Sequence, residues 1–233
     1  MIMLYTDFGL AGPYLGQVKA VLYREVPGIS VVDLCADAPT FDPYAAAYLL
    51  AALAPEFPVG SIFLGVVDPG VGTARGAVAV CADGRWYVGP NNGLFEIVAR
   101  RAVEVRWWNI TWRPHRLSAS FHGRDLFAPI AALLARGEPV PGEPLPWAPH
   151  PDWPDDRAAV IYQDHYGNCM TGLRVSVLPD SALLEVAGCR LPRARTFCCH
   201  AVQMIGVSPT LRRKKTFGIV PMAIVGIVII WVH

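Results

Sequence analysis

Apolar runs that break into glycine turns recur along the first half of this chain, and several of them end on a charged side chain. Met3-Leu4-Tyr5-Thr6 stops at Asp7-Phe8-Gly9, and the run from Ser61 to Val67 stops at Asp68-Pro69-Gly70. Both are short and almost wholly apolar, the pattern of a strand covered on both faces. Val31-Val32-Asp33-Leu34 and Ala77-Val78-Ala79-Val80 read as further strands. Gly16 to Glu25 and Pro43 to Leu53 read as helices, the second with an alanine-rich face made for close packing, and Leu126 to Leu134 is an amphipathic run. The alternation predicts an α/β fold over residues 1–136, with a mostly parallel sheet and helices on both faces.

Beyond Leu134 the pattern changes. Pro139, Pro141, Pro144, Pro146, Pro149, Pro151 and Pro154 crowd one stretch, which reads as a linker over residues 137–157. Ala158-Ala159-Val160-Ile161-Tyr162 and Leu183-Leu184-Glu185-Val186 then read as strands of a smaller C-terminal β domain over residues 158–197. Residues 198–233 form an atypical tail in which a basic cluster, Arg212-Arg213-Lys214-Lys215, precedes the uncharged run Phe217 to Val232.

Composition narrows the classes of function. A chain of 233 residues with 53% hydrophobic content has enough apolar surface for a substantial core. Its net charge of +1 gives no general attraction to nucleic acid. The 6 cysteines show no Cys-x-x-Cys pair and no zinc-ligand spacing, so no metal is expected. The opening Met1-Ile2-Met3-Leu4 is too short for a signal sequence, which points to a cytoplasmic protein with reduced thiols.

Chemistry concentrates where strands give way to turns. Ligands of open α/β sheets bind beyond the carboxyl ends of the strands, so Asp7 and Asp68 are candidate polar-ligand residues. Arg75, seven residues after Asp68, lies in a loop able to fold its guanidinium back onto that carboxylate. His122 stands beside Gly123 ahead of the next helical run, a candidate acid, base or water-holder. Each signal has an ordinary alternative. Asp-Pro-Gly is a good turn by itself, and Gly89-Pro90-Asn91-Asn92-Gly93-Leu94 also reads as a turn. Thr6-Asp7-Phe8-Gly9 matches the kinase magnesium motif, but no glycine-rich loop or strand lysine precedes it.

Five segments in one order carry more weight than any single one. Thr6-Asp7-Phe8-Gly9, Val67-Asp68-Pro69-Gly70-Val71-Gly72 with Arg75, Gly89 to Leu94, Phe121-His122-Gly123-Arg124-Asp125-Leu126-Phe127-Ala128-Pro129 and Asp164-His165-Tyr166-Gly167-Asn168 together resemble the S-adenosylmethionine hydroxide adenosyltransferases. These are the hydrolase relatives of fluorinase and chlorinase. The resemblance covers the chain to about Phe197.

It implies hydrolysis of S-adenosyl-L-methionine to adenosine and L-methionine. Asp68, Arg75 and His122 fall on the family's water-activating triad. Asp7 falls on its ribose ligand, Phe41 on an aromatic wall, Asp164 on the ligand of the methionine ammonium, and Asn168 on the reader of the adenine edge. No cofactor is implied, because the sulfonium itself is the substrate. Asp68 favours hydroxide over a halide, since a carboxylate repels the halide. Two alternatives remain open: a 5′-halogenating relative, and a catalytically silent binder of adenosyl ligands tethered to a membrane by the tail.

After Phe197 the chain departs from the family, whose serine- and glycine-containing block is absent. The family implies a homotrimer with the site between subunits, an assembly that a curtailed C-terminal domain weakens. Phe217 to Val232 superficially resembles a membrane anchor, yet it is shorter than the roughly 20 residues a spanning helix needs, and Pro221 interrupts it. An altered tail, an anchor and a divergent pair of strands are the three readings of this segment.

Overall fold

Every residue of strand β1 (Ile2–Thr6) is buried, because the strand lies between two parallel neighbours, β2 (Val31–Cys35) and β3 (Ile62–Val66). Its side chains alternate between the two faces of the sheet, as the period of a strand dictates. Ile2 and Leu4 join the core built with helices α1 (Tyr14–Glu25) and α4 (Ala128–Ala135). On the other face, the Tyr5 hydroxyl donates to the Ala46 carbonyl of α2 (Pro43–Leu53) at 2.8 Å. Asp42 caps α2 by accepting from the Ala45 N–H at 2.9 Å, and Pro43 follows it at the first helical position.

The computed structural model describes residues 1–179, 181–186, 189–192 and 228–231. The chain divides into two compact units, Met1–Asp155 and Asp156–His233. The first holds a seven-stranded sheet in the order β2-β1-β3-β5-β4-β6-β7, with β4 (Ala77–Ala82), β5 (Arg85–Pro90), β6 (Val105–Ile110) and β7 (Gly142–Pro144). Helix α3 (Glu96–Arg101) packs beside α2, and α1 beside α4.

The α/β class stands, but the sheet is mixed rather than mostly parallel. Pairings from β2 to β5 are parallel and those from β5 to β7 antiparallel. The reversal is local in origin. Asp83 and Gly84 take φ of 46° and 74°, and a two-residue turn of that kind closes a hairpin between β4 and β5.

Two expectations change in detail. The amphipathic run from Leu126 to Leu134 starts in a π-helical turn, Gly123–Phe127, that leads into α4, and Ala128, Ile130, Ala131, Ala132 and Leu134 are all buried. The proline-rich stretch supplies the edge strand β7, and the stretch beyond it is fastened to α3. Glu96, buried, accepts from the His150 N–H at 2.9 Å and Trp147 Nε1 at 3.3 Å, while Arg100 donates to the Trp153 carbonyl at 2.7 Å. Proline removes N–H donors but leaves carbonyls, so such a segment is held by side chains.

In the second unit, β8 (Arg157–Gln163) and β9 (Cys169–Arg174) pair antiparallel, and β10 (Leu183–Val186) forms a hairpin with β11 (Cys189–Pro192). Val228–Trp231, inside the apolar tail run, is strand β12 and pairs with β9 in parallel. The remainder of that run and the basic cluster Arg212 to Lys215 lie outside the described residues. Among the described residues no helix is long and apolar enough to cross a membrane.

Candidate active site

The two acids leave the sheet side by side because their strands are parallel neighbours in fixed register. Thr6 pairs with Val66, and the Asp7 N–H donates to the Val66 carbonyl at 3.3 Å. Asp7 and Asp68 therefore leave the sheet at the same edge, the carboxyl ends of β1 and β3, where α/β proteins place ligands. Asp68 then enters a tight loop. At Gly72, φ is +78° and a Cβ would overlap the Ala119 carbonyl oxygen, so only glycine fits where this loop meets the one ahead of His122.

Arg75 returns across that loop and grips Asp68 with two prongs. Nε donates to Oδ1 at 2.8 Å, and Nη2 donates to Oδ2. The pair is buried, with 11% of the arginine and 4% of the aspartate side chain exposed. Nη1 donates to the Gly76 carbonyl at 2.7 Å, and the guanidinium carbon lies 5.3 Å from the centre of the Phe127 ring. Planar, bidentate pairing of this kind fixes both partners in orientation as well as in place.

His122 completes the group. Its Nδ1 lies 3.1 Å from Arg75 Nη2. A guanidinium has no lone pair to offer, so Nδ1 accepts, and the neutral ring carries its proton on Nε2. Burial lowers the His122 pKa from its ordinary 6.5, and the Arg75 charge lowers it further, against the opposing charge of Asp68. The cluster therefore joins a neutral imidazole to a carboxylate through one guanidinium, and both residue types are candidates for general acid–base work.

Asp7 sits in the same field. Burial raises its pKa, with a further push from Asp68, against the Phe41 N–H, which donates to Oδ2 at 3.0 Å. Phe41 is held at φ 57°, an uncommon conformation for a residue with a side chain, and the residue is 72% exposed. The structure thus brings together Asp68, Arg75 and His122, and links Asp7 to Phe41.

Asp164 and Asn168 belong to the second unit, in the turn between β8 and β9. Asn168 Nδ2 donates to Asp164 Oδ2 at 2.8 Å, and the N–H groups of Tyr166 and Asn168 both donate to Oδ1 at 2.9 Å. Burial opposes the Asp164 charge, but these hydrogen bonds hold its carboxyl below the usual carboxylate range. Among the described residues no group of three or more His, Cys, Asp and Glu is arranged to hold a metal.

Sequence reasoning passed over two contributors. Asp125 accepts from the Ser118 N–H at 2.9 Å and from Arg124 Nε at 2.5 Å, tying down the loop before His122. Asn92 donates from Nδ2 to the Val67 carbonyl at 2.9 Å, next to Asp68. Both lie in segments already singled out, but a turn and a polar side chain look alike until the atom they reach is known.

Fold and polar cluster together define the chain as an α/β enzyme. The family described as SAM hydroxide adenosyltransferase, N-terminal domain, matches residues 2–142, and the chain belongs to that family. It is 43% identical over 216 residues to the (R)-S-adenosyl-L-methionine hydrolase of Thermus thermophilus, covering 84% of this chain and 82% of the relative. A fluorinase of Nocardia brasiliensis is 24% identical over 166 residues, 60% of this chain and 55% of that one. A crystal structure of an uncharacterized conserved protein from Thermotoga maritima superposes with a TM-score of 0.73 at 28% identity, covering 83% of each chain.

Proposed function

We propose that this enzyme hydrolyses S-adenosyl-L-methionine at ribose C5′, releasing adenosine and L-methionine, and that it prefers the (R)-sulfonium named in its hydrolase relatives. The observation that carries the reading is the Asp68–Arg75–His122 cluster at the carboxyl ends of the strands, with its Asp68–Arg75 pair buried. The sulfonium already makes C5′ electrophilic and methionine a neutral leaving group. What the protein supplies is an aligned nucleophile.

In this reading His122 Nε2–H and Asp68 hold one water between them. The water oxygen forms the new bond to C5′ as the C5′–S bond breaks, and the sulfur keeps that electron pair. One water proton passes to Asp68 and then to solvent, so water and the sulfonium cation give adenosine, methionine and a proton. Arg75 fixes both partners by its bonds to Asp68 and His122. Asp7 is assigned to the ribose hydroxyls and Phe41 to the aromatic wall near the reacting carbon. Asp164, held ionised by its hydrogen bonds, is assigned to the methionine ammonium, and Asn168 to adenine. The reading needs no cofactor, and it keeps the family's homotrimer and a cytoplasmic site of action. A 5′-halogenation is disfavoured by the Asp68 carboxylate, whose charge opposes a halide in the water's place.

The test is turnover in oxygen-18 water with each sulfonium epimer, followed by mass spectrometry. Heavy oxygen in adenosine with methionine released, faster from the (R) epimer, is the expected outcome. Unlabelled adenosine, or none, defeats the hydrolase reading. Asp68→Ala and His122→Ala should each lower kcat by about 10²-fold or more while the protein stays folded; full activity in either removes that residue from the mechanism.

A further inference from the structure

The turn between β5 and α3 grips both ends of the loop that carries Asp68 and Arg75. Pairing between β3 and β5 is in register through Leu64 and Val88, and the Val67 carbonyl beyond it is taken by a side chain instead. Asn92 Nδ2 donates to it at 2.9 Å. Asn92 Oδ1 in turn accepts from the Leu94 N–H at 3.3 Å, which fixes the orientation of the amide. At the far end, the Gly76 carbonyl accepts from the Asn91 N–H at 3.0 Å and from Arg75 Nη1 at 2.7 Å. One turn thus touches the residue before Asp68 and the residue after Arg75.

The turn is itself firmly seated. Leu94 and Phe95 are buried. Gly93 adopts φ +91°, and a Cβ there would press on the Trp153 ring of the strapped proline-rich segment. A side chain anchored at that depth transmits rigidity, and ligand-holding constellations lose rate when their support slackens by about 1 Å.

We propose that Asn92 is a positioning residue: its amide locks the Val67 carbonyl and so sets Asp68 in the geometry that Arg75 and His122 share. The inference rests on the functional reading of that cluster, and it reaches the reaction only through Asp68. Asn92→Ala removes both hydrogen bonds of the amide. Asn92→Asp keeps the shape and the acceptor for Leu94 but loses the donor to Val67, and so serves if the alanine variant folds poorly.

The experiment combines steady-state adenosine formation with a titration of His122 in histidine-labelled protein by NMR. The expected result is a kcat lowered about tenfold or more in each variant with KM for the sulfonium within about twofold, the pattern of lost transition-state alignment rather than lost binding. In Asn92→Ala the His122 titration should also move toward the ordinary histidine range, as Arg75 shifts away from Nδ1. The groups that bear on that ring are Arg75, Asp68, Arg113 and Asp125. Wild-type kcat with an unmoved His122 titration overturns the proposal, as does a change confined to KM. If the wild-type protein releases no adenosine, the hydrolase reading falls, and the His122 titration alone decides whether Asn92 holds the cluster.

Discussion

His122 is kept neutral by burial first and by the Arg75 guanidinium second, and this sets a pH dependence whose sign is fixed. Protonating the ring removes the lone pair that accepts from Arg75, so the folded state binds this proton less readily than the unfolded chain. Stability linked to His122 is complete above the ordinary value of 6.5 and is lost as pH falls from there through its depressed folded value. Activity should follow the same group: the acid limb of kcat/KM is expected below pH 6.5, and a limb at or above that value contradicts the assignment. His122→Gln should flatten the fall of the melting temperature on acidification below pH 6.5. The three polar positions of the cluster were legible in the sequence because each closes a motif. The tautomer was not, since it depends on one distance across 47 residues of chain, from Arg75 Nη2 to His122 Nδ1.

At the level of elements, the loop from Asp68 to Arg75 depends on a backbone that only glycine adopts without strain. Gly72→Ala adds a Cβ at φ +78° against the Ala119 carbonyl, which is expected to cost about 1–3 kcal/mol and to slacken both the Asp68 loop and the one before His122. The check is a lowered melting temperature together with a lower kcat; an unchanged pair shows that the loops do not depend on this contact. The strands and helices themselves were readable where one period dominates. Pro43–Leu53 is observed as expected, because a capping Asp42, a proline at the first position and eight buried residues agree. The direction of β4 is not readable from apolar runs, because the reversal lies in the two residues between them, Asp83-Gly84. The segment from Trp147 to Asp155 reads as part of a linker for a related reason. Its anchors are Glu96 and Arg100, distant in sequence, and proline content alone says only that a segment cannot form a central strand.

At the scale of the whole chain, four residues of the apolar tail run have a place in the fold, as strand β12. From the sequence, the run from Phe217 to Val232 has three readings, an altered tail, an anchor and a divergent pair of strands. Val228-Ile229-Ile230-Trp231 is β-branched and aromatic, the composition of a strand, and it pairs with β9 as β12. β9 is thereby the middle strand of a three-stranded sheet. Removing Val228 to His233 would bare its edge, and an unpaired edge invites disorder or association. The functional reading divides labour between the units: Asp68, Arg75 and His122 belong to the first, Asp164 and Asn168 to the second. Loss of β12 should therefore weaken substrate binding more than the chemical step. The full 25.4 kDa chain is expected to sediment at three times its mass. The chain lacking Val228 to His233 is expected to sediment lighter, with KM raised about tenfold and kcat within about threefold once substrate saturates. A shortened chain with unchanged KM and mass would show that β12 supports neither the second unit nor assembly. One with kcat lost and KM intact would move part of the chemistry into the second unit and break the division of labour on which the prediction stands.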